Sequence, residues 1–292
     1  MRSPWLPIAA VAMLGCSSAS SPPHGSPVLL DVYWISGGQR TLVWAAPLAD
    51  GGGSLAVTVP PAGQQVDFVF DRRLDGSKIE DSVTQNGVTV QVPRATPPIG
   101  VSWDGGVDST PPFTDQVFYN TEPFYGGSTA YVFLRPGTTG FPSSNSVVFT
   151  FDKTALTSAY NEPMIGPDQI AVATGPFTAT VRALSAGDAG SAVPTSYMVP
   201  IAFTNRITPA AVAPFVHASS AGVAVPITVT GDTSDPTVVY ATSACAGGWP
   251  TAAPITVTID SQAPDAFGGL LQTAASGTFT AVGATQAGDG GC

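Results

Sequence analysis

A largely alternating apolar segment occurs twice in this 292-residue chain, and it restricts the fold more than any other feature. VDFVFDRRL at 66–74 is matched by VPIAFTNRI at 199–207. Two further matches follow in the same order: VFTFD at 148–152 with TVTID at 256–260, and GPFTA at 175–179 with GTFTA at 277–281. Period-two alternation puts one set of side chains on a buried face and the other in solvent, as in a β-strand covered on one side. The same order met twice reads as two copies of one unit. On this register Phe70 and Phe203 plug the two cores.

Composition supports strands over helices. Charged residues are 10% of the chain, against about 25% in ordinary soluble domains, and only two lysines occur, Lys78 and Lys153, so helices with charged outer faces are excluded. The 43% hydrophobic share is enough to build a core. Pro60-Pro61, Pro97-Pro98, Pro111-Pro112 and Gly247-Gly248 punctuate the apolar runs, as turns and edges of sandwiches do. The predicted organisation is a first domain over 28–184, opening with a strand at 28–35 and enlarged by an insertion at 93–146. Residues 115–119 and 129–134 supply extra strands in that insertion. A small polar linker at 185–190, a second domain over 191–284 and a Gly-rich tail at 285–292 complete the chain.

A net charge of −10, with no Lys/Arg cluster, excludes nucleic acid as a partner, because neutralising phosphates requires such clusters. The same charge repels the body of the protein from an anionic membrane.

At the start, Arg2 precedes an apolar run over 6–14 that is far shorter than the roughly 20 residues a spanning helix needs. It ends in Met13-Leu14-Gly15-Cys16, followed by a Ser/Pro-rich tether to residue 27. This resembles the lipobox of bacterial lipoprotein signal peptides, with 1–16 as the signal peptide. The resemblance implies a diacylglycerol thioether on Cys16. Ser17 after it implies the outer membrane or cell surface, reached through the lipid anchor. Ordinary secretion with cleavage near Ser18-Ala19-Ser20 is the alternative. If Cys16 carries lipid, Cys245 and Cys292 remain as a pair in an oxidising compartment, closing a loop of about 47 residues worth about 4 kcal/mol in the chain-entropy model. Free or intermolecular thiols are the alternative to that disulfide.

The basic-then-apolar turn after each first matched strand (Arg73-Leu74, Arg206-Ile207), the late strands running into Ala159-Tyr160-Asn161 and Ala266-Phe267-Gly268, and the Gly-x-Phe-Thr-Ala segments together resemble bacterial Ig-like domains of the SbsA (S-layer protein) type. The resemblance implies an all-β chain of two tandem Ig-like antiparallel β-sandwich domains serving as spacer or adhesive modules, with no catalytic residues.

Little in the sequence points to chemistry. The two histidines, His24 and His217, belong to no Gly-x-Ser-x-Gly elbow or His-Glu-x-x-His motif, and no phosphate-binding loop occurs. Asp71, Asp75, Glu80 and Asp81 cluster after the Phe70 strand. They are all-oxygen candidates for calcium or for the carboxylate pair of a glycan hydrolase, although the spacing of a dedicated calcium loop is missing and solvated turn carboxylates are the simpler reading. Aromatic residues crowd 93–146. Trp103, Tyr119 and Tyr125 are the candidate ligand contacts if they are exposed, and core residues otherwise. The reading is therefore a non-enzymatic envelope lipoprotein without cofactor or metal, its sandwiches acting as spacer or protein-interaction module. An adhesin or carbohydrate-binding module built on 93–146 is the alternative, and a glycan hydrolase a more distant one. The partner is an envelope protein or glycan.

Overall fold

Alternation and turn chemistry resolve into strands through most of the chain. The computed structural model describes residues 24–46, 55–63, 65–94, 96–104, 106–107, 113–122, 129–136, 140–182, 192–251 and 253–283. Cys16, Tyr125 and Cys292 lie outside these, as do the expected signal peptide, the 185–190 linker and the tail. Among the described residues the regular elements are strands, one four-residue helix, α1 (Pro209–Val212), and two 3-10 turns, Gly76–Lys78 and Ala213–Phe215.

The first sandwich contains β1 (Leu29–Ser36), β2 (Gln39–Ala45), β3 (Thr58–Val59), β4 (Gln65–Phe70), β5 (Glu80–Gln85), β6 (Val88–Pro93), β7 (Ile99–Trp103), β8 (Gly106–Val107), β9 (Phe113–Glu122), β10 (Thr129–Pro136), β11 (Ser146–Phe151) and β12 (Gln169–Thr174). One sheet runs β2-β1-β4-β10-β9 and the other β3-β12-β11-β7-β8, with β5 and β6 as a separate hairpin. The second sandwich contains β13 (Ala179–Val181), β14 (Ala192–Pro194), β15 (Val199–Phe203), β16 (Val216–Ser220), β17 (Val223–Ala224), β18 (Ile227–Gly231), β19 (Val238–Ser243), β20 (Ile255–Ile259) and β21 (Ala275–Val282). Its sheets run β13-β15-β19-β18 and β14-β21-β20-β16-β17. This is the A-B-E-D sheet facing the G-F-C sheet of an immunoglobulin-like sandwich. In both units the first strand is split. Its second part (β3, β14) pairs with the last strand (β12, β21) in parallel, whereas the other strand pairs among the described residues are antiparallel.

Each sandwich encloses its own core. Val66, Phe68 and Phe70 of β4 meet Val147, Phe149 and Phe151 of β11 in the first; Val199, Ile201 and Phe203 of β15 meet Ile255, Val257 and Ile259 of β20 in the second. The expected plugs Phe70 and Phe203 are buried, each contributing about 1.5–3 kcal/mol. The two most deeply buried indoles find an acceptor: Trp34 Nε1 donates to the Pro60 carbonyl at 3.0 Å and Trp249 Nε1 to that of Tyr197 at 2.6 Å.

Two expectations about organisation are corrected. First, the boundary lies near residue 175, not at 185–190. Phe177 is buried in the second core, stacked on Phe203 at 5.5 Å, and Ala179–Val181 pairs with β15. GPFTA therefore opens the second sandwich, whereas GTFTA closes it. β13 and β14 belong to different sheets of that one sandwich, so positions 183–191 fall inside the second unit and not between the two. Second, 93–146 is not an insertion: it carries β7 to β10, the counterparts of β16 to β19. What the first sandwich adds is β2 and the β5–β6 hairpin, turned by Asn86 (φ 51°) and Gly87 (φ 79°), the left-handed pair that a two-residue hairpin requires.

Candidate functional site

Two turns at one end of each sandwich share a construction that places the functional candidates. After β4, Asp71 receives the Val28 N–H on Oδ1 at 2.7 Å and donates its own N–H to the Val28 carbonyl; after β15, Thr204 exchanges the equivalent pair with Thr178. Leu74 and Ile207 then plug the cores beneath. In the F–G turns, Ser158 Oγ accepts from the N–H groups of Tyr160 and Glu162, and Asp265 Oδ1 from those of Phe267 and Gly269. Asn161 (φ 65°) and Gly268 (φ 82°) close these turns in the left-handed region.

The second copy of this end meets the first sandwich, and the meeting is polar and buried. Asn205 is 0% exposed and Asp265 5%. Asn205 Nδ2 donates to the Phe141 carbonyl (3.0 Å), Ser143 Oγ (2.9 Å) and Asp265 Oδ2 (2.8 Å), and Ser143 Oγ donates to Asp265 Oδ2 at 2.8 Å. The carboxylate thus accepts four hydrogen bonds, all from neutral donors. That arrangement satisfies a buried charge without a cation. The 140–145 loop is itself held. Phe141 N donates to the Pro61 carbonyl, Thr174 Oγ1 to that of Pro142, and Asn145 Nδ2 to that of Asp104. Gly140 (φ 73°) takes the left-handed conformation that glycine adopts without strain, and Arg206 packs over it. Burial pushes the Arg206 guanidinium below its ordinary value, opposed by the nearby Asp235 carboxylate.

Trp103 reaches the same junction. Half-buried at the end of β7, it packs edge-on against Phe267 with ring centroids 5.7 Å apart. A shallow crevice of about 220 Å³ opens beside the linker, walled by Pro60, Pro61, Pro176 and Thr204 among others. No titratable side chain lines it, so it offers contact area without acid–base chemistry.

The remaining sequence-derived candidates are dispersed. Asp71 clasps β1 and pairs with Arg72 at 2.7 Å; Asp75 accepts from Ser77 N and Oγ at the start of a 3-10 turn. Glu80 opens β5 and Tyr119 sits in β9, both described by strand position alone. Cys245 packs half-buried at the edge of the second core. His217 Nε2 lies 3.1 Å from Asp260 Oδ2 on an exposed face, and the His24 ring stacks on Tyr160. Among the described residues, no group of three or more His, Cys, Asp or Glu side chains is placed to hold a metal ion. Asn205, Ser143 and Asp265 escaped the sequence reading. The signal that could have found them was the repeat itself, in which Arg72 and Ser158 of the first copy become Asn205 and Asp265.

No family model matches the chain, and no curated protein does. Among the solved structures that are similar at low level are two chains of immunoglobulin domains. Titin Ig tandem domains A164-A165 share 8% identity over 77% of this chain and 89% of that one, with a TM-score of 0.24. The full ectodomain (Ig1–Ig3) of mouse nectin-like molecule 4 shares 10% identity over 77% of this chain and 60% of that one, with a TM-score of 0.21. The immunoglobulin-like assignment rests on the strand order of the two sandwiches.

Proposed function

We propose that the protein is a non-catalytic cell-envelope lipoprotein, held by an acylated Cys16, whose tandem sandwiches serve as a stiff spacer or protein-interaction module. The observation that carries this reading is the buried junction of Asn205, Ser143 and Asp265, because a spacer needs its units fixed end to end. Ordinary contacts between domains of one chain are more polar than cores and permit relative motion. Separating the sandwiches would take the Ser143 donor from Asp265 and the Phe141 and Ser143 acceptors from the Asn205 amide, polar partners that are costly to lose in a buried site. Asp71 and Asp75 hold β1 and a turn, and Trp103 packs against Phe267, so three of the candidates for a hydrolase or an adhesin site have structural partners. A Cys245–Cys292 disulfide belongs to the same proposal, tying the chain end to the edge of the second core.

Metabolic labelling with a clickable palmitate, followed by mass spectrometry of the exported protein, tests the anchor. Wild type carries the label on Cys16 and loses it as Cys16→Ala, with Cys245 and Cys292 joined in both. Equal labelling of wild type and Cys16→Ala contradicts the anchoring, and free thiols on both remaining cysteines contradict the disulfide.

A further inference from the structure

We propose that the end of the first sandwich formed by its B–C and F–G connections (71–98 and 152–168) faces the membrane surface, with the second sandwich carried outward. This rests on the acylation of Cys16 proposed above. The described chain begins at this end and is fastened to it. Gly25 N donates to Glu162 Oε2 at 2.7 Å, Arg72 Nη1 donates to the His24 carbonyl at 2.8 Å, and the His24 ring stacks on Tyr160 with centroids 3.6 Å apart. Val28 continues the attachment as a parallel bridge to Ile165. Seven residues separate His24 from Cys16. Even fully extended they reach roughly 28 Å. The turn between β16 and β17, at the far end of the second sandwich, is two strand lengths further away.

Charge is arranged in the same sense. Apart from Arg2 the chain has nine Lys and Arg residues, and five of them (Arg72, Arg73, Lys78, Arg94 and Lys153) lie on these two connections. Seven carboxylates share the same stretches, so net charge per residue here matches the rest of the chain; what sets this end apart is its cations, five in 45 residues against four in the other 231 residues that follow Cys16. An anionic surface attracts Lys and Arg within about a Debye length, roughly 8–10 Å. These cations supply the local attraction that charge reversal at this end removes. The junction between the sandwiches supplies a third argument. At the second sandwich the same pair of turns receives the preceding part of the molecule, through Asn205, Asp265 and Phe267. On the first sandwich the homologous positions are Arg72, Ser158 and Tyr160, and what precedes them is the anchor.

The test uses full-length acylated protein in vesicles of phosphatidylethanolamine with a minor fraction of phosphatidylglycerol and a nitroxide-headgroup lipid. A fluorophore is placed through a non-natural amino acid at Ala159 in the F–G turn or at Val223, 70% exposed at the far turn. Quenching is expected to be several-fold stronger at 159 than at 223. The Arg73→Glu, Lys153→Glu double variant is expected to weaken quenching at 159 on these vesicles but not on phosphatidylcholine ones. Equal quenching at the two sites, or stronger quenching at 223, overturns the orientation with the anchor intact. Unchanged quenching in the double variant overturns the electrostatic contribution. An unacylated Cys16, read by mass spectrometry on the same sample, overturns anchor and orientation together.

Discussion

Asn205 is the residue on which the junction turns. Its Nδ2 lies within hydrogen-bonding distance of three acceptors, two on the other sandwich and Asp265 Oδ2, and shares its two hydrogens among them, while its own carbonyl oxygen accepts the Arg206 N–H at 2.9 Å. Asn205→Ala leaves Asp265 buried with one donor fewer, and about 1–3 kcal/mol of stability should be lost. Thermal melts check this; a loss indistinguishable from that of an exposed substitution contradicts it. Asp232 makes a different kind of contribution. It accepts from Ser234 N and Oγ and from the Tyr240 hydroxyl, and these bonds hold its carboxyl well below the ordinary value of 3.8. Because the folded-state value is depressed, the unfolded chain binds the proton first as pH falls. The stabilisation is complete above the ordinary carboxylate range, begins to fall as pH drops into it, and is gone only once pH passes below the depressed folded-state value. The Tm difference between wild type and Asp232→Asn should therefore be present at pH 7 and vanish at low pH. A difference independent of pH contradicts the assignment.

At the scale of elements, the strands with one buried face were legible in the sequence and those at the ends of the units were not. Matching 66–74 to 199–207 and 148–152 to 256–260 pairs β4 with β15 and β11 with β20, because central strands carry apolar side chains every second residue and little else fits there. GPFTA and GTFTA look alike for a local reason: both are glycine-led edge segments with one plugging Phe. One opens a sandwich and the other closes one, a distinction set by pairing partners far away in sequence. The polar run at 185–190 falls between β13 and β14 of one sandwich, and by composition alone such a run cannot be told from a linker between domains. Of the junction, Phe267 and Arg206 were singled out as parts of the repeat, but Asn205 and Asp265 are single polar residues 60 positions apart, and only the folded chain brings them together. The corrected boundary has a consequence for truncation. A fragment of residues 176–292 should melt cooperatively, whereas 191–292, lacking β13 and Phe177, should be less stable by about 3–5 kcal/mol, the usual cost of removing a buried Phe. Equal melting points would return the boundary to the polar run.

For the whole molecule, two sandwiches of the same strand order stand in series. A linker of about two residues passes from Thr174, the end of β12, to the buried Phe177, and His24 and Gly25 are fastened at the opposite end of the first unit. Such a short link alone restricts the pair, and the polar lock between 140–145, Asn205 and Asp265 fixes what the link leaves free. A spacer in this sense is a single body with a defined axis, and the acidic remainder of the chain keeps it soluble along its length. Residual dipolar couplings on residues 17–292 read that property directly, since rigidly joined units share one alignment tensor. The account predicts one tensor for both sandwiches in the wild type and two of different magnitude in Asn205→Ala; separate tensors in the wild type would contradict it.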